Sequence, residues 1–466
     1  ADLATANSTS AVTSVAVKDT SANITADLAL NDNSKLSNLK VKSIVQTDAS
    51  NAITVTDAQF QNNTISSALG KLGGTSSLAV TGVSASRASL VATNSNVKSI
   101  TVTDTAANVY SNRVTNGSIS KISATNVVDS AANISTNFAN IASMNSITKI
   151  KLSDSTNIKI TQLQLVSNPN LLMKVYGYGN TDTKGSYHLT VTNTAAADIV
   201  ATAKLSTVDK INVTDSISNG ILNLTALKSG KVDKIDLTGQ GSAIGGANLD
   251  KLDSLGARLN TITNTDADQI DITYDQYVKR SATLAKVDAG SFKVTDASAS
   301  AAKLLKDDAK VSDISVKDSA ANISKNYADL RTVLLANKLL QVKLSDSADI
   351  KLTATEFASA SGVTGFLSKV RTTDDNSNFK LQITDALASN LISLYNTAGD
   401  FYNKVSKVSI KDTASNIAAK LNDLGTAYAA GKLGAVVLTG AAADIAITKT
   451  QLSNANIAGA LTKIED

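Results

Sequence analysis

The chain has 466 residues, no Cys and no Trp, only 4% aromatic side chains, and 44 basic against 40 acidic groups for a formal net charge of +4. The absence of Cys excludes disulfides, thiolate metal sites and Cys nucleophiles, and the even spread of charge gives no basic patch for nucleic acid. The apolar share consists of Ala, Val, Ile and Leu without an uninterrupted run long enough for a transmembrane helix, which predicts thin cores rather than one large one.

A short motif returns along the chain. Reading from the N-terminus, its clear copies are VAVKDTSANI at 15–24, ITVTDTAANV at 100–109, ISVKDSAANI at 314–323 and VSIKDTASNI at 408–417, with weaker copies at 126–134 and 189–199. A local pattern that recurs at such intervals is typical of repeat proteins.

Each copy predicts one strand, one capped turn and one helix. Ile314 and Val316 alternate with polar residues, as in a strand with one buried face. The Asp-Ser/Thr-Ala-Ala-Asn cluster that follows contains short polar side chains suited to capping a helix N-terminus. Apolar residues then continue at helical spacing, at Ile323, Tyr327, Leu330 and Leu334.

The polar residue that ends each alternating run marks about sixteen units, spaced about 28 residues apart on average. These markers are Asp19, Asp48, Gly82, Asp104, Asp129, Asp154, Asn193, Asp215, Gly239, Asn264, Asp296, Asp318, Asp346, Asp385, Asp412 and Gly440. Their Asp and Asn members are predicted to form a structural ladder of turn and cap residues.

A second unit type follows some copies directly. It reads NAITVTDAQF from Asn51, NIKITQLQL from Asn157, QIDITYDQY from Gln269, DIKLTATEF from Asp349 and DIAITKTQL from Asp444, and it predicts an extra strand and helix. From Asp318 to Asp412 the order of units returns to its start after about 94 residues. Duplication of a block of three units explains this second period.

The predicted fold is an α/β right-handed strand–helix solenoid, in which a parallel sheet with packed helices stacks as in leucine-rich repeats. Residues 1–466 are predicted to form one continuous repeat domain of about 16 units. The pattern breaks at 169–184, where an irregular insertion is predicted. This range lies within the stretch NPNLLMKVYGYGNTDTKG.

The marker column is the feature most open to a chemical interpretation. Carboxylates stacked at the ends of parallel strands offer the oxygen ligands that calcium prefers, and the candidates are Asp19, Asp104, Asp129, Asp318 and Asp412. The alternative is that they cap turns and helices. No other metal or cofactor is predicted.

Other candidate sites have ordinary explanations. The glycines of GQGSAIGGAN at 239–248 are spaced one residue too widely for a dinucleotide fingerprint. His188 is the sole histidine, which excludes multi-histidine metal sites. Acid pairs such as Asp307-Asp308 lack aromatic sugar platforms, and Tyr176 and Tyr178 are interpreted as loop packing. No catalytic residue is therefore predicted, and we expect no enzyme.

The unit V-x-[VI]-[KST]-D-[ST]-[AS]-x-N-[IV] resembles repeats in very large secreted proteobacterial surface proteins, which form surface layers or act as adhesins after one-step secretion. The resemblance implies an extracellular, cell-surface location. This chain departs from that pattern by its many lysines and a calculated pI near 8.8.

The expected function is structural: a subunit or segment of a surface layer, sheath or filament that assembles with itself, head to tail or laterally. The first alternative is an adhesin repeat that binds a host, matrix or neighbouring-cell ligand, with cell-surface glycans among the candidate partners. A solenoid enzyme acting on polysaccharides is the third, and no cluster of Lys, Arg, Tyr and acids supports it.

Overall fold

The computed structural model describes residues 2–48, 50–179, 183–361, 365–399, 401–440 and 443–465. The chain divides into two compact units, one of residues 1–215 and 223–235 and the other of residues 216–222 and 236–466. Both are mixed α/β structures that contain parallel sheets with helices packed against them, and no closed barrel occurs among the described residues.

The strands are short, and most have six residues or fewer. In the first unit they are Val15–Asp19 (β1), Val41–Gln46 (β2), Ile53–Thr56 (β3), Leu78–Val83 (β4), Val97–Asp104 (β5), Ile122–Asp129 (β6), Ile147–Leu152 (β7), Ile158–Thr161 (β8), Val175–Tyr176 (β9) and Leu189–Thr194 (β10). The division between the units runs through Val208–Ser216 (β11) and Val232–Gly239 (β12). In the second unit they are Leu259–Asn264 (β13), Ile270–Thr273 (β14), Phe292–Ala297 (β15), Val311–Asp318 (β16), Leu339–Leu344 (β17), Ile350–Thr353 (β18), Val370–Arg371 (β19), Leu381–Ala386 (β20), Val405–Asp412 (β21), Leu433–Leu438 (β22) and Ile464–Glu465 (β23).

The helices are equally short. The first unit contains Asp2–Ser8, Ser21–Leu28, Asp57–Gln61, Asn63–Leu69, Ala88–Ala92, Ala106–Ser111, Arg113–Gly117, Ala131–Thr136, Phe138–Ala142, Gln162–Ser167, Pro169–Leu172, Ile199–Ala203 and Leu224–Leu227. The second unit contains Ile217–Leu222, Gly241–Ile244, Ala247–Asp253, Tyr274–Lys279, Ser281–Leu284, Ala299–Lys306, Ala320–Lys325, Tyr327–Leu335, Ala354–Ala360, Leu391–Asn396, Ala414–Ala419, Leu421–Ala429, Lys449–Leu452 and Ala455–Leu461.

Strands that follow one another in sequence are generally neighbours in a sheet. The first unit contains the pair β1–β2 and the orders β3–β4–β5–β6–β7–β9 and β8–β10–β11. The second unit contains β14–β15–β16–β17–β19 and β18–β20–β21–β22–β23. Parallel pairing of successive strands requires a crossover connection, which the short helices provide.

Apolar side chains of the strands and of the helices that follow them form the core. Ile314 and Val316 of β16 are buried together with Ile323 and Leu330 of the helices that follow. From Ile314 onward, buried and more exposed residues alternate along β16, as in a strand with one buried face.

The helix predicted after the motif is broken in two in the copies at 100–109, 126–134, 314–323 and 408–417. In the copy at 314–334, helices Ala320–Lys325 and Tyr327–Leu335 meet at Asn326, whose side-chain amide donates to the Asn322 carbonyl at 2.8 Å. The Asn326 N–H donates to the same carbonyl at 3.0 Å, so the side-chain bond is additional to the helical backbone bond. Beyond this break Val333 is buried and the predicted Leu334 is half-exposed. Asn112 and Asn137 make the same i to i−4 contact in their own copies.

Candidate functional site

The aspartate of each clear motif copy organises its own turn. In the copy at 408–417, Asp412 Oδ1 accepts from the Thr413 N–H (2.8 Å) and the Asn416 side-chain amide (2.7 Å). The hydroxyl of Thr413 in turn accepts from the Asn416 N–H at 3.3 Å and is the N-cap of helix Ala414–Ala419. The cap is thus the Ser or Thr after the marker, and the aspartate fixes its position. Asp19, Asp104, Asp129 and Asp318 make the same Oδ1 contacts.

A further hydrogen bond joins many of the marker carboxylates to the strand–helix segment that precedes them in sequence. Asp412 Oδ2 accepts from the buried Ala388 N–H at 3.0 Å, where the preceding helical turn begins. Contacts of this kind, at 2.6 to 3.3 Å, join Asp48 to Ser21, Asp104 to Ala85, Asp129 to Ala106, Asp154 to Ala131, Asp215 to Ala196, Asp266 to Gly241, Asp318 to Ala299 and Asp346 to Ala320. We call this set the aspartate ladder. It places negative charge at helix N-termini, where backbone N–H groups lack helical partners.

These hydrogen bonds lower the pKa of several ladder carboxyls. The hydroxyl and N–H of Ser21 lower the pKa of Asp48 to about 2. Burial opposes the shift of Asp412, but the Asn416 amide and the Ala388 and Thr413 N–H groups outweigh it, so its pKa also lies below the usual range. The carboxylates of Asp48 and Asp412 are therefore ionised wherever the fold is intact at ordinary pH.

A second group of markers has a different role. Gly82, Asn193, Asp296 and Asp385 have φ between 52° and 69°, and each lies where the register with the next strand shifts. Gly, Asn and Asp are the residues that adopt this left-handed conformation most readily. We call β4, β10, β15 and β20, which carry these residues, the bulged strands. The left-handed backbone conformation therefore explains why Gly, Asn or Asp stands at these four markers.

The marker at Asn264 is placed two residues too early. Asp266, not Asn264, accepts from the Gly241 N–H, at 3.1 Å, as Asp154 and Asp346 do in their copies. Asn264 is buried at the end of β13, and its side-chain amide donates to the Asp268 carbonyl at 3.0 Å. Both residues are polar and close in sequence, so the alternation alone did not distinguish them.

The second unit type carries a capping box that the sequence analysis missed. Thr353 Oγ1 accepts from the Glu356 N–H at 3.1 Å while the Glu356 carboxylate accepts from the Thr353 N–H at 2.8 Å. The same reciprocal pair forms at Thr56 with Gln59, Thr161 with Gln164, Thr273 with Gln276 and Thr448 with Gln451. The signal was present as Thr-x-x-Gln/Glu after each alternating run.

Lysines at the start of strands form a second ladder that was also missed. Lys121, directly before β6, donates through Nζ to the carbonyls of Ala92 (2.7 Å) and Asn94 (2.8 Å), at the end of helix Ala88–Ala92 in the preceding segment. Lys40, Lys71, Lys174, Lys231, Lys286, Lys310, Lys338, Lys404 and Lys432 likewise donate to backbone carbonyls of earlier segments. Where the acceptor ends a helix, as Ala92 does for Lys121 and Lys306 does for Lys338, the cation complements the carboxylates at helix N-termini. We call this set the lysine ladder.

The described residues add no further ligands to the predicted calcium sites. In the ranges that the structure describes, no group of three or more His, Asp or Glu side chains could hold a metal ion. The oxygens of Asp104, Asp129, Asp318 and Asp412 face N–H donors, which repel a cation. Calcium binding at these residues, and at Asp19, remains a prediction.

The remaining candidates have structural partners. His188 Nδ1 lies 2.9 Å from Asp209 Oδ1 in an exposed pair. A Cβ at Gly245 would lie 2.3 Å from the Asp271 carbonyl oxygen, so this glycine permits close packing against β14. Lys149 Nζ lies 4.6 Å from the centre of the Tyr176 ring, while Tyr178 is exposed. Asp308 accepts from the Tyr277 hydroxyl.

The predicted insertion at 169–184 is described except for residues 180–182. Its first part forms helix Pro169–Leu172 and strand β9, which pairs with β7. It borders an apolar groove of about 490 Å³ lined by Leu165, Val166, Met173, Tyr187 and Leu205, among others.

No protein-family model, curated protein or solved structure matches this chain. Within the described ranges, none of the helices has the length and apolarity needed to cross a membrane.

Proposed function

We propose that this protein is a non-enzymatic extracellular structural protein, a subunit or segment of a cell-surface layer, sheath or filament. Each compact unit would be a right-handed solenoid of strand–helix turns, about 16 along the chain. The location is suggested by the resemblance of its motif to secreted surface repeats.

The aspartate ladder carries the proposal. Its carboxylates, which in an enzyme or metal protein would be the reactive groups, accept hydrogen bonds from backbone N–H groups of the preceding segment, as at Asp129 and Ala106 (3.0 Å). The lysine ladder occupies the other strand ends in the same way, as at Lys121. Charged side chains are thus used to join successive segments, which favours a mechanical role over a chemical one.

Self-assembly is the testable part of this function. The purified chain at high concentration should give ordered sheets or fibres in negative-stain images, and light scattering should show particles larger than a monomer. Because surface ion pairs weaken with salt, lateral assembly should decrease as ionic strength rises. Monomers alone, across salt concentrations and with or without calcium, would contradict the proposal.

A ligand-binding adhesin is the second candidate, and the groove beside Pro169 favours it. Its lining is mainly apolar, and Val166 and Met173 on its rim are exposed. If the protein is an adhesin, Met173→Asp should abolish binding to cells or matrix without changing the images of the purified chain. Leu335→Asp, at an exposed position outside the groove, is the matched control.

A further inference from the structure

In four copies of the second unit type, the strand pairs with a bulged strand. The four segments β3, β8, β14 and β18 each pair in parallel with the bulged strand that follows, namely β4, β10, β15 and β20. We call the strand of the second unit type the acceptor segment.

The pairing register is identical in these four copies. The first apolar residue of the acceptor segment lies opposite the first residue of the bulged strand, as Ile53 does opposite Leu78, and the terminal threonines Thr56 and Thr81 also lie opposite each other. The Ile53 N–H donates to the carbonyl before the bulged strand, at Ser77, at 2.8 Å. Ile158, Ile270 and Ile350 repeat this bond at 2.8 to 3.0 Å.

The other edge of the acceptor segment is closed by the preceding helix. The hydroxyl of Ser324 accepts from the Lys351 N–H at 2.8 Å, and Ser135 does the same for Lys159 at 2.7 Å. Alternate N–H groups of a strand point to opposite edges, so one edge is capped by a side chain and the other is reserved for the bulged strand.

The fifth copy of this segment, residues 445–448, is not a strand, but it keeps the capped helix start of the other copies and its apolar side chains are more exposed. Thr448 and Gln451 form the capping box found in the other copies. Yet Ile447 is 38% exposed and Leu452 is 54% exposed, whereas their equivalents Leu352 and Phe357 are each 1% exposed.

The same holds for the other apolar residues around this segment. Ile445 is half-buried where Ile350 is fully buried, and Leu438 at the end of β22 is half-buried where Leu344 is buried. In the copy at 350–357, where β18 pairs with the bulged strand β20, the equivalent side chains are buried.

We propose that residues 445–448 form a docking edge for an extended, parallel strand with the pattern of the bulged strands, [LF]-x-[VI]-T-[GND]-x. Its first and third residues would cover Ile445 and Ile447, and its backbone carbonyls would accept from the N–H groups of those two isoleucines. The partner is identified by the four internal copies, in which this pattern alone occupies the equivalent edge. The proposal rests on the stacked strands of the proposed function and not on a cell-surface location.

A peptide tests the edge directly. A synthetic peptide of residues 76–87, SSLAVTGVSASR, contains β4 and is added to the full chain. Binding is followed by fluorescence anisotropy of the labelled peptide, and hydrogen exchange should slow at the Ile445 and Ile447 amides. The control peptide carries Leu78→Ser and Val80→Ser and should not bind, because those two residues supply the apolar contact.

Variants of the chain locate the binding. Ile447→Lys should weaken peptide binding roughly tenfold or more, since it introduces a charge into an apolar contact. Leu335→Lys, at a position 66% exposed and distant in sequence, should leave binding unchanged. Circular dichroism checks that both variants remain folded.

The outcomes separate this inference from the proposed function. Absence of peptide binding, or binding that Ile447→Lys does not weaken, would overturn the docking edge even if images show sheets or fibres. Self-association that Ile447→Lys abolishes, without peptide binding, would assign the edge to a second copy of the chain and overturn the proposed strand type. Peptide binding with a strictly monomeric chain would support the edge and contradict the self-assembly.

Discussion

Replacing Asp412 with Asn should destabilise the protein, whereas the same replacement at Asp385 should not. Both residues are markers at the end of a strand, and both changes are nearly isosteric. Asp412 is 5% exposed and bridges two segments, while Asp385 is an exposed residue in the left-handed conformation with φ of 52°. The pair therefore separates an aspartate needed for its carboxylate from one needed for its backbone.

The magnitude follows from what each residue contacts. An Asn at 412 retains one side-chain oxygen, so it cannot accept from both Asn416 and Ala388, and its NH₂ group opposes an N–H donor. Ala388 is 1% exposed, so water cannot replace the lost acceptor. Leaving a buried N–H unsatisfied costs about 1–3 kcal/mol. Asn adopts the left-handed conformation as readily as Asp, so Asp385→Asn should change stability by less than about 0.5 kcal/mol.

Urea unfolding followed by circular dichroism measures the free energy of unfolding of both variants. Hydrogen exchange at the Ala388 amide localises the effect, because this amide should exchange faster in Asp412→Asn only. Equal stabilities for the two variants would refute the assignment of Asp412 as a bridge between segments. Faster exchange at Ala388 in Asp385→Asn would refute the assignment of that residue to the backbone alone.

Three further predictions concern the other contacts. Lys121→Met should lower the free energy of unfolding by about 1–2 kcal/mol through loss of charge-assisted bonds to two carbonyls, whereas Lys234→Met, at an exposed position of β12, should be neutral in the same urea titration. The pKa of Asp48 is about 2 in the folded protein and 3.8 in a free side chain. This difference implies a contribution to stability that is present above pH 4 and is lost as the pH falls towards 2. Ser21→Ala should return the pKa of Asp48 towards 3.8 in an NMR titration. Gly245→Ala should lower the thermal midpoint, because its Cβ would lie 2.3 Å from a backbone oxygen; an unchanged midpoint would contradict the packing described.

Sequence periodicity was enough to find strands and helices. Alternation such as Ile314 and Val316 followed by helical spacing predicts a strand and then a helix, because one face of each must be buried. The second unit type was located in the same way, and four of its five copies form the predicted strands β3, β8, β14 and β18, whereas residues 443–448 of the fifth copy form no strand. The break at Asn326 was not predicted, because the apolar spacing from Ile323 to Leu334 fits one continuous helix.

The sequence alone determined that short polar residues end the strands, because Asp, Asn and Gly suit turns for several physical reasons at once. It did not distinguish those reasons. Only the tertiary structure decided that Asp412 accepts from the segment before it, that Asp385 is chosen for a left-handed backbone, and that Asp266 rather than Asn264 belongs to the aspartate ladder. Contacts between segments depend on register, and register is set by the packing of whole strands and helices rather than by any local stretch of sequence.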